Sequence, residues 1–462
     1  MVLPLVGGMV ALGAGGSGAP GVAPAGGGGS GPPMPALPFS GFIGDATPVS
    51  FVTSDGISAG NLIEARVGGF RFPDGSIQTT AANTPFLGAA ASRGTGAGAR
   101  VVRVQAGRSG SAAVAAALER IRDAGPENRY VISLGPGVYS GHIQMKPFVE
   151  IEGAGGDRTR IVANGAGGGA TVTGAAGAVL RHLTVEAAGA GGDAVAVRSA
   201  GGPMHLESVR IVAADGRRET VGVINESGEM SLARVSLEVT GGAQAAGIRN
   251  RGRSSLTLRD VSIRVSGATE RSVGVADSGA PGGDLRVERS EVRVAAAGGV
   301  GTGLRSLGTP RVRIDGLTVH VAGAEVVNEG VFLGPAGAAD APPARLGGLW
   351  VTAAGGEVSR GLAVESRSAL VRGSHFEAEG AGNATGVWIE RGTGADARHT
   401  VRLLHSSVAA AGQTVWSEAS DTALRIGHST LEGGPVLAEA GAVACAATVD
   451  EAFAFHAEGC PR

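Results

Sequence analysis

The sequence predicts an all-β fold, a single-stranded right-handed parallel β-helix with an N-terminal capping helix. Three observations predict it: an apolar pattern that returns about every 26 residues, a second strand motif that opens with glycine in most repeats, and one helical stretch ahead of the repeats. A period of this size indicates a solenoid, in which each unit buries its apolar face only by stacking on its neighbours. Parallel crossovers of this kind are generally right-handed.

The helical stretch comes first and spans Ser111–Arg122. Val114, Leu118 and Ile121 form one apolar stripe at helical spacing, and a Gly-Pro pair ends the stretch. The first coil of a solenoid would otherwise expose a sheet edge and an open core. We therefore expect this helix to cover the N-terminal end of the rod.

The repeats follow. Each repeat has an apolar residue, two variable residues, an apolar or small residue, one variable residue and a final apolar residue. The first position is leucine at 180, 206, 232 and 258, so these four units are 26 residues apart. Polar residues alternate with the apolar ones, which is the period of a half-buried strand. The pattern occurs at Leu180/Leu183/Val185, Leu206/Val209/Ile211, Leu232/Val235/Leu237, Leu258/Val261/Ile263, Val287/Ser290/Val292, Ile314/Leu317/Val319, Leu346/Leu349/Val351, Val371/Ser374/Phe376, Leu403/Ser406/Val408 and Ile426/Ser429/Leu431.

A second strand in most units opens with glycine and an apolar residue. Two or three short strands per unit indicate a parallel β-helix of about ten to twelve coils, stacked at roughly 4.8 Å. The pairs are Gly222-Val223, Gly247-Ile248, Gly274-Val275, Gly303-Leu304, Gly330-Val331, Gly361-Leu362 and Gly386-Val387.

Polar residues recur two positions after the apolar residue of that second strand, at Asn225, Asn250, Asp277 and Ser306. Side chains of this kind, stacked along the axis at a turn, hydrogen-bond one another as in cross-β ladders. We expect an internal structural ladder here in preference to a binding site, since the turn would otherwise leave buried polar backbone unpaired.

The segment from Val101 to Asn164 resembles the first coil of pectinesterase-like and pectin-lyase-like β-helix proteins. The resemblance lies in Gly135–Tyr139 (GPGVY), Phe148–Gly153 (FVEIEG) and Thr159–Ile161 (TRI). It implies the right-handed β-helix fold, and beyond residue 164 it extends only to the architecture.

The catalytic motifs of those enzymes are not matched. Asp193–Val197 echoes a pectinesterase motif with Asp193 in place of a glutamine, where an acidic group would oppose an oxyanion. The chain has no Asp-Asp pair of the kind that galacturonases of this fold use as acid and base. The coils show no acidic cluster that would give calcium its six to eight oxygens. We therefore predict no catalytic residue, metal or cofactor.

Composition limits the partners. The 462 residues carry a formal net charge of −2, which disfavours nucleic acid as a main partner. No stretch reaches the length of a transmembrane span.

Cys445 and Cys460, the two cysteines, are placed to form one disulfide that closes a terminal loop, which implies an oxidising compartment. An apolar start without positive charge is an incomplete export signal, so we expect an extracellular or cell-surface protein.

The predicted organisation has five parts: an apolar signal remnant with a Gly/Pro-rich linker (1–38), a small β-rich segment (39–98), the N-terminal cap and first coil (99–164), the β-helix coils (165–436) and a C-terminal cap with the disulfide (437–462). Within the second part, Gly69–Ala81 resembles a short segment of phage tail-fibre-like surface proteins, with a hairpin-type turn at Asp74-Gly75. That resemblance implies a homotrimer.

One repeat position predicts a candidate binding surface. It is the residue directly after the apolar residue that follows glycine in the second strand. That position holds Phe332, Trp388 and Trp416 in a chain with only three tryptophans, and arginines at the same position in earlier units place it on the outside. An exposed indole column would suit sugar rings or an apolar patch of a partner. The alternative is that these rings pack under a loop or against another subunit.

Three functions remain open. The leading one is a secreted or surface-displayed protein that binds polysaccharide or a surface partner without catalysis. The second is a carbohydrate-active enzyme (an esterase, lyase or hydrolase) on an acidic polysaccharide, which acidic residues converging from neighbouring coils would favour. The third is a structural fibre or coat component.

Overall fold

The computed structural model describes the chain from residue 99 onward with short gaps, and four short strands before it. The described ranges are 99–107, 110–164, 169–199, 201–338, 340–380, 383–390, 399–420, 422–438, 442–452 and 454–461. The chain forms two compact units, Met1–Ser92 and Arg93–Arg462. In the first, β1 (Ser50–Thr53) pairs antiparallel with β2 (Gly56–Ala59), and β3 (Phe70–Arg71) pairs antiparallel with β4 (Ile77–Gln78). The predicted signal remnant and the Asp74-Gly75 turn lie outside the described residues.

The second unit is a right-handed parallel β-helix, as the sequence predicts. Each coil contributes strands to three faces, which we call faces A, B and C in chain order. Face A contains β5 (Arg100–Val104), β6 (Tyr130–Leu134), β9 (Val149–Glu152), β12 (Ala178–Arg181), β15 (Met204–Glu207), β18 (Gly228–Ala233), β21 (Ser254–Arg259), β28 (Ala344–Gly347), β31 (Ala369–Arg372), β34 (His399–Leu404) and β37 (Thr422–Gly427).

Face B follows face A around each coil. It contains β7 (Gly137–Ser140), β10 (Thr159–Asn164), β13 (Thr184–Ala188), β16 (Arg210–Ala214), β19 (Ser236–Thr240), β22 (Ser262–Ser266), β29 (Trp350–Ala354), β32 (His375–Glu379), β35 (Ser407–Ala410) and β38 (Thr430–Glu432). Three longer strands run from face A into face B, which are β24 (Asp284–Ala295), β26 (Arg311–Ala322) and β40 (Ala442–Asp450). At the C-terminus β41 (Phe455–Glu458) pairs antiparallel with β40.

Face C is a sheet of 12 parallel strands. Its strands are β8 (Ile143–Gln144), β11 (Val172–Gly174), β14 (Ala194–Ser199), β17 (Glu219–Asn225), β20 (Gln244–Gly252), β23 (Arg271–Gly279), β25 (Val300–Leu307), β27 (Val327–Leu333), β30 (Val358–Glu365), β33 (Asn383–Glu390), β36 (Gln413–Ser417) and β39 (Val436–Ala438).

The helix α1 spans Ser111–Arg120 and contacts β5, β6 and β8 at the N-terminal end of the rod. It buries Val114, Ala117 and Leu118. The helix ends two residues earlier than the predicted Arg122, because the backbone at Ile121 is already extended. Ile121 is nevertheless buried in the same core.

The apolar repeat forms the core, with like residues stacked in register. The first position of the pattern makes one buried column on face A, and its members are 0–6% exposed. Because each coil covers the apolar side chains of the previous one, every layer adds roughly 1.5–3 kcal/mol per buried side chain. The column runs Leu180, Leu206, Leu232, Leu258, Val287, Ile314, Leu346, Val371, Leu403, Ile426 and Cys445.

The pattern is not one strand, as its alternation suggests, but two strands that meet at a corner. Leu180 belongs to β12 and Val185 to β13, and between them His182 has a φ of 54°. A residue in the left-handed region turns the chain sharply. The same corner is turned with φ between 43° and 69° at His182, Ser208, Arg234, Asp260, Arg289, Gly316, Gly348, Gly373, His405 and His428.

The recurring glycines of the second strand stack on face C because the coil is too narrow there for a side chain. A Cβ built on Gly303 would lie 2.2 Å from Val319 Cγ1 on face B and 2.5 Å from the carbonyl oxygen of Gly330 on the next coil. Gly274 and Gly330 meet the same two obstacles, at 2.2 and 2.5 Å and at 2.1 and 2.6 Å respectively.

The four polar residues of the expected ladder lie in register at the ends of consecutive face C strands. Asn225 Nδ2 donates to Asn250 Oδ1 at 2.8 Å, and Asn250 Nδ2 donates to Asp277 Oδ1 at 2.8 Å. The Ser306 hydroxyl donates to Asp277 Oδ2 at 2.7 Å. All four side chains are buried, so each bond forms where water cannot replace it.

At the C-terminal end Cys445 and Cys460 form a disulfide, which confirms the predicted pairing. Cys445 completes the buried face A column, and the bond ties the segment after β41 to the last coil.

Candidate functional site

The outer surface of face C carries a group of carboxyl, guanidinium and aromatic side chains on the coils between residues 327 and 418. We call it the face C patch. It is formed by three neighbouring columns, whose members are Glu329 and Arg360 in the first, Phe332, Ala363, Trp388 and Trp416 in the second, and Glu365, Glu390 and Glu418 in the third.

The two tryptophans are register partners on β33 and β36, and Phe332 lies two coils earlier in the same column. Val387 and Ile389, on either side of Trp388, belong to the main core, whereas Trp388 packs in a separate cluster with Phe332, Ala363, Leu307 and Trp416. Because side chains alternate along a strand, this second cluster lies on the outside of the coil.

The expectation that this column is an exposed platform is wrong for two of its rings. Phe332 is 5% exposed and Trp388 is 6% exposed, and Trp416 is partly buried. Guanidinium groups cover the first two: Arg305 Cζ lies 4.8 Å from the centroid of the Phe332 ring, and Arg360 Cζ lies 3.3 Å from that of Trp388. Such cation–π contacts stabilise both partners where water is excluded.

Glu329 is the buried acid of the patch. It follows the sharp turn into β27, where Asn328 is held by hydrogen bonds to the backbone of Ala324 and Gly355. Its Oε1 lies 3.8 Å from Arg360 Nη1, and its side chain is 7% exposed. No hydrogen bond to the Glu329 carboxyl occurs within the described part of the chain.

Burial raises the pKa of Glu329 to about 7. This effect is larger than the opposing attraction of Arg360 and Arg305, and the charge of Glu390 raises the pKa further. Burial likewise lowers the pKa of Arg360, although Glu329, Glu390 and Glu418 all favour its charged form. Both shifts have the same cause, since at 3.8 Å the pair is too loose to compensate for lost hydration. Glu329 therefore exchanges its proton near neutral pH.

The third column adds carboxyl groups. Glu365 and Glu390 are register partners, and the amide of Glu418 bonds to the carbonyl of Ile389 on the preceding coil. Burial raises the pKa of Glu390, and the like charges of Glu365 and Glu418 raise it further while Arg360 opposes them. Carboxyl groups from successive coils thus face one another beside the aromatic column.

Hydrogen-bonding capacity remains unused in the patch. Nε1 of Trp388 and Nε1 of Trp416 are both buried and have no hydrogen-bond partner within the described residues. Buried indole N–H groups usually find a partner. Both donors are therefore unsatisfied in the described structure and closed off from solvent.

The arrangement can perform acid–base chemistry. A carboxyl group that titrates near neutral pH can donate a proton to a leaving oxygen, a nearby carboxylate can accept one, and a guanidinium can stabilise developing negative charge. The face C patch holds one group of each kind, with an aromatic surface beside them.

Sequence reasoning missed Glu329, Arg360 and the acidic column. The signal was present in the same repeats: Glu329 and Arg360 each directly precede the recurring glycine, and the sequence Trp-x-Glu occurs at Trp388–Glu390 and again at Trp416–Glu418. The spacing of these residues does not by itself distinguish a buried carboxyl group from an exposed one. Asp193, the residue that echoes an esterase motif, lies elsewhere on face C and binds Arg218 through its carboxylate at 3.1 Å.

Two surveys of the described residues bear on ligands and membranes. No group of three or more His, Cys, Asp or Glu side chains there is arranged to hold a metal ion. No helix in that part of the chain is both long enough and apolar enough to span a membrane.

Comparison with known proteins gives structural likeness alone. No family model matches the chain, and no curated protein matches it in sequence. The A-module of mannuronan C-5 epimerase AlgE6 from Azotobacter vinelandii is similar over 73% of this chain and 94% of its own, at 12% identity and a TM-score of 0.39.

Two further structures are similar. Pectin methylesterase PemA from Erwinia chrysanthemi covers 52% of this chain and 90% of its own, at 13% identity and a TM-score of 0.25. Alginate lyase from Paenibacillus sp. str. FPU-7 is similar over 74% of this chain and 97% of its own, at 12% identity and a TM-score of 0.25. The resemblance of Gly69–Ala81 to tail-fibre proteins finds no support among these comparisons. What the strand registers establish is the fold, a right-handed parallel β-helix.

Proposed function

We propose that this chain is a carbohydrate-active protein that binds a polysaccharide along face C and cleaves a glycosidic bond at the face C patch. The observation that carries the proposal is the convergence of Glu329, Arg360 and Glu390 from three consecutive coils beside Trp388. Convergence of acidic groups from neighbouring coils is the feature that favours an enzyme over a simple binding surface.

In this proposal Glu329 is the general acid. Its carboxyl donates a proton to the glycosidic oxygen, and the bond from that oxygen to the anomeric carbon breaks with its electron pair leaving on the oxygen. Ionised Glu390 takes a proton from the water that attacks the anomeric carbon. The two carboxyl groups then return to their starting states by exchange with solvent.

The surrounding residues position the sugar. The uncovered part of the Trp416 ring packs against a sugar face. Arg360 holds charge next to the reacting carboxyl groups. The disulfide fits an exported protein, since such bonds persist in oxidising compartments.

The test is turnover of a polysaccharide panel by the wild-type chain and by Glu329→Gln. Released reducing ends would report hydrolysis, and ultraviolet absorbance of unsaturated ends would report elimination instead. We expect Glu329→Gln to lower turnover by a factor of about 10² to 10⁴, the usual contribution of a general acid. Glu325→Gln, an exposed change four residues away, is the matched control and should leave turnover unchanged.

Binding without catalysis is the second candidate, and the half-covered Trp416 ring favours it. A wild-type protein that binds a glycan, releases no product and loses that binding in Trp416→Ala would establish this candidate in place of the first. Turnover that survives Glu329→Gln would contradict the role of Glu329.

A further inference from the structure

The outer surface of face A carries a column of arginines on the C-terminal coils. Arg286, Arg313 and Arg345 are consecutive register partners, and after Leu370 the column continues with Arg402 and Arg425. All five guanidinium-bearing side chains are exposed. Five steps at the strand spacing of about 4.8 Å give a positively charged line of about 24 Å along the rod axis.

The arginines of the earlier coils differ, because they are neutralised. On face A, Arg181 pairs with Glu150, Arg234 pairs with Glu207, and Arg259 pairs with Glu288 at 3.0 Å. Each pair joins neighbouring coils, so the surface there is close to electrically neutral.

From Arg313 onward the arginines of this column are unpaired within the described residues, although Arg311 of the same strand still contacts Asp284 at 3.5 Å. Arg313, Arg345, Arg402 and Arg425 make no ion pair and no side-chain hydrogen bond in the part of the chain that the structure describes. Arg286 alone is paired, with Glu288 of its own strand. Unpaired guanidinium groups repeated at the strand spacing present fixed forks of N–H donors to anions.

The surface is also hollowed beside the column. An open depression of about 400 Å³ is lined by Arg286, Arg313, Arg345 and Arg372, with Leu370 at its floor. Gly347 has no side chain to fill it. The acidic groups at this depression are Glu288, which is already paired, and Asp315, so the arginines are in excess.

We infer that face A binds a linear polyanionic polysaccharide along the rod axis, at a surface separate from the face C patch. A regular row of guanidinium groups complements a regular row of carboxylates or sulfates, each held by paired N–H donors. The arginine column contains no aromatic residue on which nucleic acid bases could stack, and the chain as a whole has a net charge of −2. Charge and shape therefore favour an anionic glycan over nucleic acid.

The test measures affinity for heparin, polygalacturonate and neutral dextran, with duplex DNA as a further polyanion. The variant is Arg313→Gln/Arg345→Gln. Its control is Arg264→Gln/Arg293→Gln, which removes two exposed register partners of the same type on face B. We expect the face A variant to bind heparin or polygalacturonate about tenfold more weakly, with a shallower dependence on salt, since each lost contact is an exposed charge pair.

Heparin and polygalacturonate distinguish sulfated from carboxylated ligands, and a loss with either one supports the inference. Equal weakening by the face B control, affinity for dextran equal to that for the polyanions, or tighter binding of duplex DNA would overturn it. The readout is the difference in affinity between the face A variant and the face B control and not turnover, so the result does not depend on whether the face C patch is catalytic.

Discussion

The Asn250 side chain links its coil to the coil before it and to the coil after it. Its amide accepts a hydrogen bond from Asn225 and donates one to Asp277, both at 2.8 Å and both fully buried. It therefore satisfies polar groups on the coil before it and on the coil after it. Burial raises the pKa of Asp277, while the hydrogen bonds from Asn250 and Ser306 counter that effect.

Replacing Asn250 with alanine removes the donor to Asp277 Oδ1 and leaves Asn225 Nδ2 with only its longer bonds to the carbonyl oxygens of Gly228 (3.3 Å) and Ser255 (3.4 Å). At 1–3 kcal/mol for each unsatisfied buried group, we expect Asn250→Ala to lower the free energy of unfolding by about 3 kcal/mol. Chemical denaturation measures the change. Asn164→Ala is the control, because Asn164 is exposed and its side chain has no partner in the described structure. Equal losses in the two variants would show that the ladder contributes nothing.

At the same scale, the sequence revealed which residues share a column but not how deeply they are covered. The spacing of Trp388 and Trp416 predicts that they stack, and they are register partners. The burial of Trp388 depends on Arg360, which comes from a different column on the preceding coil. Periodicity carries no information about side chains that cross from one column to another, so the site around Glu329 required the structure.

Among the elements, the strands of face C depend most on residue size. At Gly303 the strand passes so close to face B that no room is left for a methyl group, and the obstacles are the Val319 side chain and the backbone carbonyl of Gly330. The valine could rotate but the carbonyl is part of the ladder. Glycine there is a requirement of packing and not of backbone conformation.

We therefore expect Gly303→Ala to destabilise the rod by roughly 1–3 kcal/mol, the usual cost of overpacking a well-filled core. The drop in thermal midpoint, followed by circular dichroism, measures it. Gly125→Ala is the matched control, because a Cβ at Gly125 meets nothing within 4 Å. A Gly303→Ala protein as stable as the control would contradict this account of the column.

The corner between faces A and B is the feature of the strands that the sequence does not predict. Alternation of polar and apolar residues continues across the corner, so the sequence suggests one strand where there are two. The residue that turns the chain varies among His, Ser, Arg, Asp and Gly. A left-handed conformation that accepts such different residues leaves no constant signal in the sequence.

Considered as a whole molecule, the rod separates its charges by position. The earlier coils pair arginine with glutamate across neighbouring strands, whereas in the described structure the arginines of the face A column are unpaired from Arg313 onward and carboxyl groups collect on face C. A solenoid allows this because each coil contacts only its neighbours. The core of one segment therefore stays constant while its surface changes.

The central claim is that Glu329 keeps its proton close to neutral pH in the folded protein. Its pKa is raised to about 7, against 4.5 for an ordinary glutamate. Between these values the folded chain holds a proton that the unfolded chain has released. The contribution of Glu329 to stability is thus fully present below about pH 4.5 and is lost as the pH rises through 7.

The most direct measurement is the free energy of unfolding of the wild type and of Glu329→Gln at a series of pH values from 4 to 8, by chemical denaturation. Other titrating groups are common to both proteins and cancel in the difference. We predict that the wild type loses roughly 3 kcal/mol relative to the variant over this range, with most of the loss between pH 5 and 7. Parallel pH dependence in the two proteins would show that Glu329 titrates as an ordinary carboxyl group, and the proposed general acid would lose its basis.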